Sequence, residues 1–411
     1  MASHKTELEE LHDFALHLAL SAGEALRGAT ASQISRTRGA SSSAFDYPYP
    51  LGEEVGLQPS TSQTASASSH PTWDEGYTQE EKAGSTDLVT STDLMLERLI
   101  TDRIRQRYPD HHILAEEAYA KGGSKEWKLD PTATTWIIDP LDGTVNYVHG
   151  NPLVCISLSV VQELLPVVGV VYAPMLGRSG TLSFEPNACP PASSSSSIPN
   201  VQRLPLQPRP LSHSSSEWLF ASEWGKDRRD VVQSSECESR EDLKGAQLRG
   251  LRSYGSAALD LTLCAAASVD IVWEGAVWEW DISAALLLLL ESGGVWTDAN
   301  GPSNPHNRFW SSSSSTDQPV GADLRSKASE ERLRLAIQEE TYPNAGLPRA
   351  SLGARRILAI RGATGPDAHV AQRAAVHQVW KRTQGLEYRR MGVRYAIEEE
   401  DAKTANAPQG S

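Results

Sequence analysis

Apolar residues recur at helical spacing near the start of the chain. Between residues 6 and 27 they lie three or four positions apart, which predicts a helix over that range. Asp93 is a candidate N-cap for a second helix, because apolar residues follow it at positions 96, 99, 100 and 104. We therefore expect two amphipathic helices in the first quarter of the chain.

Short apolar runs elsewhere have the composition of buried strands. Two of them, 112–115 and 136–138, are followed directly by acidic residues. Two further runs, 154–161 and 167–172, are separated by a short turn region and predict a hairpin. In the second half, predicted strands alternate with predicted helices. The strands are 218–221, 270–273, 295–297 and 356–360, and the helices are 256–267, 282–292 and 366–383. This alternation favours layered α/β packing.

Three stretches rich in Ser, Pro and Gly show neither the helical nor the strand spacing of apolar residues: 29–76, 186–216 and 301–349. We expect surface excursions at all three, disordered at least in the first two, with one short helix near 329–339. The chain then divides into an N-terminal α+β half (1–215), a C-terminal α/β half (216–390) and a flexible tail (391–411).

The charge balance and the cysteines narrow the class of protein. The formal net charge is −14, with 52 acidic and 38 basic residues, which argues against nucleic-acid binding. The four cysteines show no CxxC spacing, and a reduced, cytoplasmic compartment is the simplest expectation. The polar start predicts no signal peptide, and the most apolar stretch (282–290) is too short to span a membrane.

Carboxylates are concentrated after the predicted strand at 136–138. Asp139 ends that strand, and Pro140 with Gly143 permits a turn that folds Asp142 back beside Asp139. Two adjacent carboxylates repel each other unless a cation neutralises them, and oxygen ligands select Mg²⁺ when the substrate carries phosphate. Thr144 follows where a helix can begin, and free amides there suit a phosphate oxygen. The alternative is an Asx-turn that only shapes the loop.

Two further acidic positions have the same context. Glu116 follows the apolar run 112–115, and Asp281 precedes the apolar helix 282–292. An Asp at a helix start is usually an N-cap, which is the alternative for Asp281. Taken with Asp139 and Asp142, these residues favour a metal centre.

Four sequence blocks together are typical of one family. They are DPLDGTVNYVHG at 139–150, WDISAA at 280–285 with ESGG at 291–294, KAGSTDLVTSTD at 82–93, and LRSYGSA at 251–257. They resemble the signatures of the inositol monophosphatases, and they occur along the chain in the order that this family has. The resemblance implies a five-layered αβαβα sandwich that catalyses Mg²⁺-dependent hydrolysis of a small phosphate monoester, with inositol monophosphate as the expected substrate.

The resemblance also implies a set of metal ligands. Glu116, Asp139 and the carbonyl of Leu141 would bind one Mg²⁺. Asp139, Asp142 and Asp281 would bind a second, and Glu116 a weaker third. Lys82 lies in the loop that accompanies lithium-sensitive metal binding in the family, so inhibition by lithium is expected.

Catalytic and substrate roles carry over in the same way. Thr144, paired with Asp93, would orient the attacking water, with Glu116 at the metal beside them. The expected substrate-binding residues are Gly143, Thr144, Gly255, Ser256, Ala257 and Glu274. Glu274 would accept hydroxyls of the polyol, although the residues alone leave a further metal ligand or a surface charge open.

The sequence departs from the family pattern at several positions, and other functions are compatible with the same motifs. Ala115 and Ala118 replace a usual glycine and a usual Ser or Thr, and Trp278 replaces a more polar residue. The stretch after Pro174 differs more strongly from the family, whose members usually continue there with an aromatic, glycine-rich hairpin. The difference concerns the local sheet structure and the contacts of the expected homodimer. Rival substrates are another sugar phosphate, a fructose bisphosphate, histidinol phosphate or an adenosine nucleotide. A non-catalytic regulator is the alternative outside enzymes.

Overall fold

The protein is described here by a computed structural model. It describes residues 7–38, 79–84, 87–122, 129–130, 132–176, 181–184, 203–223, 248–301, 344–347, 350 and 352–382. The predicted helix near 329–339 and the tail 391–411 lie outside these ranges.

Two long helices and a hairpin form the first part of the fold. In chain order the elements are α1 (Glu7–Arg38), β1 (Gln79–Gly84), β2 (Asp87–Thr90) and α2 (Ser91–Arg107). β1 and β2 pair antiparallel, and α2 follows β2 directly. The prediction of Asp93 as N-cap is wrong, because Thr90 is the N-cap and Asp93 lies in the first turn of α2. The Thr90 side chain accepts from the amide of Asp93 at 3.4 Å, and Asp93 Oδ2 accepts from the amide of Thr90 at 3.0 Å.

The first sheet has five strands in sequence order. They are β3 (His112–Ala115), β4 (Thr135–Asp142), β5 (Cys155–Gln162), β6 (Leu165–Tyr172) and β7 (Thr181–Phe184). β3 and β4 are parallel, and the remaining pairs are antiparallel. Two short helices, α3 (Glu116–Lys121) and α4 (Thr144–Val148), begin where β3 and β4 end. This places both helix starts at one edge of the sheet.

The second sheet has the order β11-β12-β10-β8-β9. The elements of this half are β8 (Leu219–Ala221), β9 (Gly250–Arg252), α5 (Ala257–Ala265), β10 (Ile271–Gly275), α6 (Glu279–Glu291), β11 (Val295–Thr297), β12 (Arg356–Ile360) and α7 (Ala368–Arg382). β10 is parallel to β8 and antiparallel to β12. Single 3₁₀ turns occur at Pro174–Leu176, Ser215–Glu217 and Leu352–Ala354.

Helices cover both faces of both sheets, so the five-layered αβαβα prediction is confirmed. α1 and α2 pack on one face of the first sheet, α5 and α6 lie between the two sheets, and α7 covers the outer face of the second sheet. The apolar residues of α6 are buried on every side, which explains its lack of a polar face. β6 approaches α6 closely at Gly169, where an added Cβ would lie 2.6 Å from the carbonyl oxygen of Ala284.

The predicted hairpin is confirmed as β5 and β6, which are joined by Glu163 and Leu164. Both residues have positive φ (51° and 66°), as a type I′ turn requires, although neither is Gly or Asn. The turn is compatible with the register on either side, where Gln162 pairs with Leu165. Within the described residues, no helix has the length and apolar character needed to cross a bilayer.

Three predicted boundaries are wrong. α1 does not stop at residue 27, because its backbone stays helical to Arg38 through a stretch without Pro. Residues 203–214 are not a surface excursion, since Leu204 and Leu211 are buried and Arg361 donates to the carbonyls of Arg209 and Pro210 at 2.9 Å each. The predicted excursion 301–349 ends too late, since Asn344 is buried and exchanges hydrogen bonds with the backbone of Trp296 at 3.0 and 3.1 Å. Polar composition predicted loops here but could not show that their backbones are bonded to the sheet.

The contact at Gly169 gives a stability prediction. Gly169→Ala should lower the free energy of unfolding by about 1–3 kcal/mol, because a methyl group would press on the backbone of α6. Gly28→Ala is the matched control, since an added Cβ there meets nothing within 4 Å. Urea unfolding should leave the control unchanged or slightly stabilised, and equal midpoints for the two variants would contradict this packing.

Candidate active site

A bulge at the end of β4 builds one wall of the site. The pairing of β4 with β5 shifts between Asp139, which faces Ser157, and Asp142, which faces Cys155. Gly143 follows with φ of 89°, and a Cβ there would lie 2.9 Å from the carbonyl oxygen of Leu153. Gly143 is therefore required both by its conformation and by the close approach.

Three carboxylates meet at this edge of the first sheet. Glu116, Asp139 and Asp281 each place one oxygen within 4.8 Å of the others; we call them the first carboxylate cluster. Asp139 and Asp281 are buried, and Glu116 is half-buried. They come from the start of α3, the second half of β4 and the start of α6. The strand before Asp139 and the helix at Asp281 agree with the sequence predictions, and the helix that begins at Glu116 was not predicted.

Backbone amides hold two members of this cluster in place. Asp139 Oδ1 accepts from the amide of Leu141 at 3.0 Å, and Asp281 Oδ2 accepts from the amide of Trp278 at 2.7 Å. Asp281 is thus an N-terminal cap of α6 and also a member of the cluster. The two interpretations of Asp281 are compatible, since a carboxylate has two oxygens.

Asp142 has a different set of contacts. Its Oδ2 accepts from the hydroxyl of Ser256 at 2.6 Å and from the amide of Ala258 at 2.8 Å, which anchors the start of α5. The predicted metal-ligand role of Asp142 is not tested by this geometry and stays a prediction.

The predicted pair of Thr144 and Asp93 is in hydrogen-bond contact. Thr144 Oγ1 lies 3.1 Å from Asp93 Oδ1 and 3.1 Å from the carbonyl oxygen of Leu141. Asp93 Oδ2 is occupied by the amide and the hydroxyl of Thr90. A hydroxyl with both acceptors beside it keeps its lone pairs for a donor such as water.

The predicted substrate segment at Gly255–Ala257 adjoins α4 through Asn146. The Asn146 amide donates to the carbonyls of Leu153 (2.8 Å) and Tyr254 (2.7 Å). Gly255 has φ of 77°, and a Cβ there would lie 2.7 Å from the Asn146 side chain. Ser256 caps α5, since its Oγ accepts from the amide of Leu259 at 3.2 Å.

Glu274, in β10, lies close to two other carboxylates. One of its oxygens lies within 4.8 Å of oxygens of Glu223 and Asp260, which form the second carboxylate cluster. Burial and the neighbouring Glu223 carboxylate raise the pKa of Glu274 well above its ordinary value. The pKa of Asp260 is also raised, by burial and then by the carboxyls of Glu274 and Glu223. Sequence analysis missed Asp260 and Glu223, because one lies in an apolar helix and the other in a polar stretch.

Glu97 supports the first carboxylate cluster, although no pattern in the sequence assigned it a functional role. Its two carboxylate oxygens accept from the amides of Glu117 (2.7 Å) and Ala118 (2.8 Å), in the first turn of α3. This fixes the start of the helix that carries Glu116. The available signal was an acidic residue on the buried face of a helix.

Aromatic residues pack together on the two helices, α3 and α6, that carry Glu116 and Asp281. Trp278 stacks on Trp280 with ring centroids 5.3 Å apart, and Tyr119 contacts both rings. The guanidinium of Arg355 lies over the Trp278 ring at 3.7 Å from its centroid. The predicted role of Lys82 concerns a side chain outside the described part of the structure.

The donor set of the first carboxylate cluster fits a hard divalent cation. All three donors are carboxylate oxygens close enough to share one ion, and no soft sulfur or imidazole ligand belongs to the cluster among the described residues. Glu116, Asp139 and Asp281 are therefore the residues that would hold a metal ion.

The support from Glu97 leads to a prediction about metal affinity. Glu97→Gln should weaken Mg²⁺ binding by about 10–100-fold, because the amide NH₂ would face a backbone N–H and displace Glu116. Titration calorimetry with Mg²⁺ measures the effect. The control Glu24→Gln changes an exposed position on α1 by the same charge. Equal affinities in both variants would show that Glu97 does not position Glu116.

Comparisons with known proteins agree with the geometry. The model of the inositol monophosphatase family matches residues 58–339. Protein qutG of Emericella nidulans is 36% identical over 75% of this chain and 86% of its own. The quinic acid degradation cluster protein x of Neurospora crassa is 34% identical over 77% and 86%. Inositol monophosphatase 2 of Saccharomyces cerevisiae is 34% identical over 54% and 73%. This chain therefore belongs to the inositol monophosphatase family.

Proposed function

We propose that the protein is a Mg²⁺-dependent phosphatase that hydrolyses inositol monophosphate to inositol and phosphate. The observation that carries the proposal is the convergence of Glu116, Asp139 and Asp281 within 4.8 Å, on the elements that also bring Thr144 to Asp93. Membership of the family supports phosphate-ester hydrolysis in general. The choice of inositol as the alcohol comes from the sequence resemblance.

The metal's contribution is general chemistry. Mg²⁺ bound by the first carboxylate cluster would neutralise the phosphate dianion and lower the pKa of a water. The cluster without a cation carries several negative charges at one point, and these would repel a phosphate ester. Asp142 and the carbonyl of Leu141 are proposed as additional ligands.

The chain's own residues orient the reactants. Thr144, fixed by Asp93, is proposed to accept a hydrogen bond from the attacking water and so aim the water at phosphorus. The backbone amides of Gly143 and Thr144 are proposed to hold the phosphate oxygens. The bond from the water oxygen to phosphorus forms as the bond from phosphorus to the alcohol oxygen breaks. The water gives up one proton and the departing alcohol oxygen takes up one, so the products are the alcohol and hydrogen phosphate.

The alcohol is proposed to lie against Gly255, Ser256, Ala257 and Glu274. These residues are tied to the phosphate end through Asn146 and Asp142, so a shift of this segment would misalign the ester. We expect the protein to act in the cytoplasm as a homodimer.

A second candidate substrate is suggested by the relatives that align over a larger part of this chain. Two proteins that match over 75% and 77% of this chain carry names tied to quinic acid degradation or to qutG, whereas the yeast inositol monophosphatase matches over 54%. The second candidate is therefore a phosphate ester of a cyclic polyhydroxy acid.

Metal removal tests the proposed reaction. Release of phosphate from inositol monophosphate should stop in EDTA, return with Mg²⁺ and fall in millimolar lithium. Turnover that persists in metal-free buffer would contradict the mechanism. Metal-dependent turnover of a cyclic polyhydroxy acid phosphate, with none of inositol monophosphate, would favour the second candidate.

Asp281→Asn separates the ligand role of Asp281 from its capping role. The carbonyl of Asn can still accept from the amide of Trp278, so the melting temperature in EDTA should change little. Turnover should fall by orders of magnitude, because one carboxylate of the cluster is lost. Asp102→Asn, at an exposed position, is the control. A large decrease in melting temperature with retained turnover would show that Asp281 caps α6 and is not a metal ligand.

A further inference from the structure

The second carboxylate cluster is built by three elements of the C-terminal half. Glu223 follows β8, Asp260 lies in the first turn of α5, and Glu274 is in β10. β8 and β10 are neighbouring parallel strands, which brings Glu223 and Glu274 to the same edge of the second sheet. The cluster shares no residue with the first carboxylate cluster.

Two of its three members are almost completely buried. Asp260 is 0% exposed and Glu274 is 2% exposed. Apart from the carboxyls of the cluster itself, no donor in the described part of the chain reaches either oxygen of Asp260 or Oε1 of Glu274. Buried carboxyls without a donor are costly, so this arrangement calls for something that the protein itself does not supply there.

The neighbours that act on these carboxyls are acids. Glu274 and Glu223 raise the pKa of Asp260 beyond the effect of burial, and Asp142 and Asp281 contribute to the raised pKa of Glu274. Among the described residues, no Lys, Arg or His forms an ion pair with the cluster. A cation from solution would offset this charge.

Glu223 is held in a fixed position at the exposed side. Its Oε2 accepts from the hydroxyl of Ser253 at 2.6 Å, and its Oε1 accepts from the amide of Gly255 at 2.8 Å. Both donors are neutral, so they orient the carboxylate and leave its charge in place. Since Glu223 is only half-buried, it gives the buried pair a connection to solvent.

We propose that Glu223, Asp260 and Glu274 form a second binding site for a hard divalent cation, separate from the first carboxylate cluster. Oxygens that lie within 4.8 Å of one another suit one ion, since Ca²⁺–oxygen distances are about 2.3–2.6 Å and Mg²⁺–oxygen distances about 2.0–2.1 Å. One oxygen of each residue suffices, which leaves the second oxygen of Glu274 for its proposed hydroxyl contact. The bound ion would join α5, β10 and the loop at 253–255.

The opposing interpretation is a set of carboxyls that share protons and bind no ion. Mn²⁺ distinguishes the two, because it takes the oxygen ligands of Mg²⁺ and its free form is counted by electron paramagnetic resonance. The metal-free full-length protein is titrated with Mn²⁺, alongside Asp260→Asn, Asp281→Asn and the exposed control Asp102→Asn. Each substitution replaces one carboxylate oxygen by an amide nitrogen and keeps the side-chain shape.

Asp260→Asn should lose one class of bound Mn²⁺, or bind it at least about tenfold more weakly, and keep the class assigned to the first cluster. Asp281→Asn should show the reverse pattern, and Asp102→Asn should match the wild type. A binding curve of Asp260→Asn identical to that of the wild type would overturn the proposal. Because the readout is binding, it stands apart from any failure to hydrolyse a phosphate ester.

Glu223→Gln keeps the test decisive if Asp260→Asn does not fold. Its side-chain carbonyl can still accept from the amide of Gly255, and its position is half-buried, so the fold should tolerate the change. The melting temperature in EDTA checks folding. A folded Glu223→Gln variant with wild-type Mn²⁺ binding would also reject the site.

Discussion

Mutual repulsion among buried carboxylates is the constraint on which the site depends. Glu116, Asp139 and Asp281 must stay close together although each would be more stable apart and in water. The chain holds them through backbone amides. Asp139 and Asp281 accept directly from amides at a bulge and at a helix start, and Glu116 is the first residue of a helix whose amides bind Glu97. Strand ends and helix starts provide these amides because they have no partner within their own element.

The middle layer of the sandwich fixes where these elements end. α6 is apolar between Asp281 and Glu291 and lies between the two sheets, so its acidic residues are confined to its two ends, with Asp281 in the first turn. Ser159 and Ser283 are 2.6 Å apart, and Ser157 donates to the carbonyl of Trp280 at 3.0 Å, which sets the position of α6 on β5. The tight contact at Gly169 adds the second restraint. Asp281 therefore reaches Asp139 through the packing of the helix rather than through a local turn.

Local patterns predicted the parts of the site that lie next to each other in sequence. Asp139, Gly143 and Thr144 could be placed from a strand, a turn and a helix start, and the layered fold followed from alternating elements. Glu97 could not be recognised, because an acidic residue on an apolar helix face has no sequence sign of what it binds. Likewise, Glu223 and Asp260 meet Glu274 only because β8 lies beside β10, and strand order is not visible in a periodicity. The wrong prediction at 203–214 has the same origin, since Arg361 binds that segment from far along the chain.

α5 connects the two carboxylate clusters. Asp142, at the end of β4, accepts from Ser256 and from the amide of Ala258, so the first turn of α5 is fixed to the strand that carries Asp139. Asp260 lies in the same turn, and its amide donates to the carbonyl of Ser256 at 3.0 Å. A displacement of α5 would thus move Asp260 relative to Glu274 and move Ser256 relative to Asp142 together. The segment proposed to hold the alcohol adjoins both anchors, so its position depends on the contacts that this one helix start makes with the two carboxylate clusters.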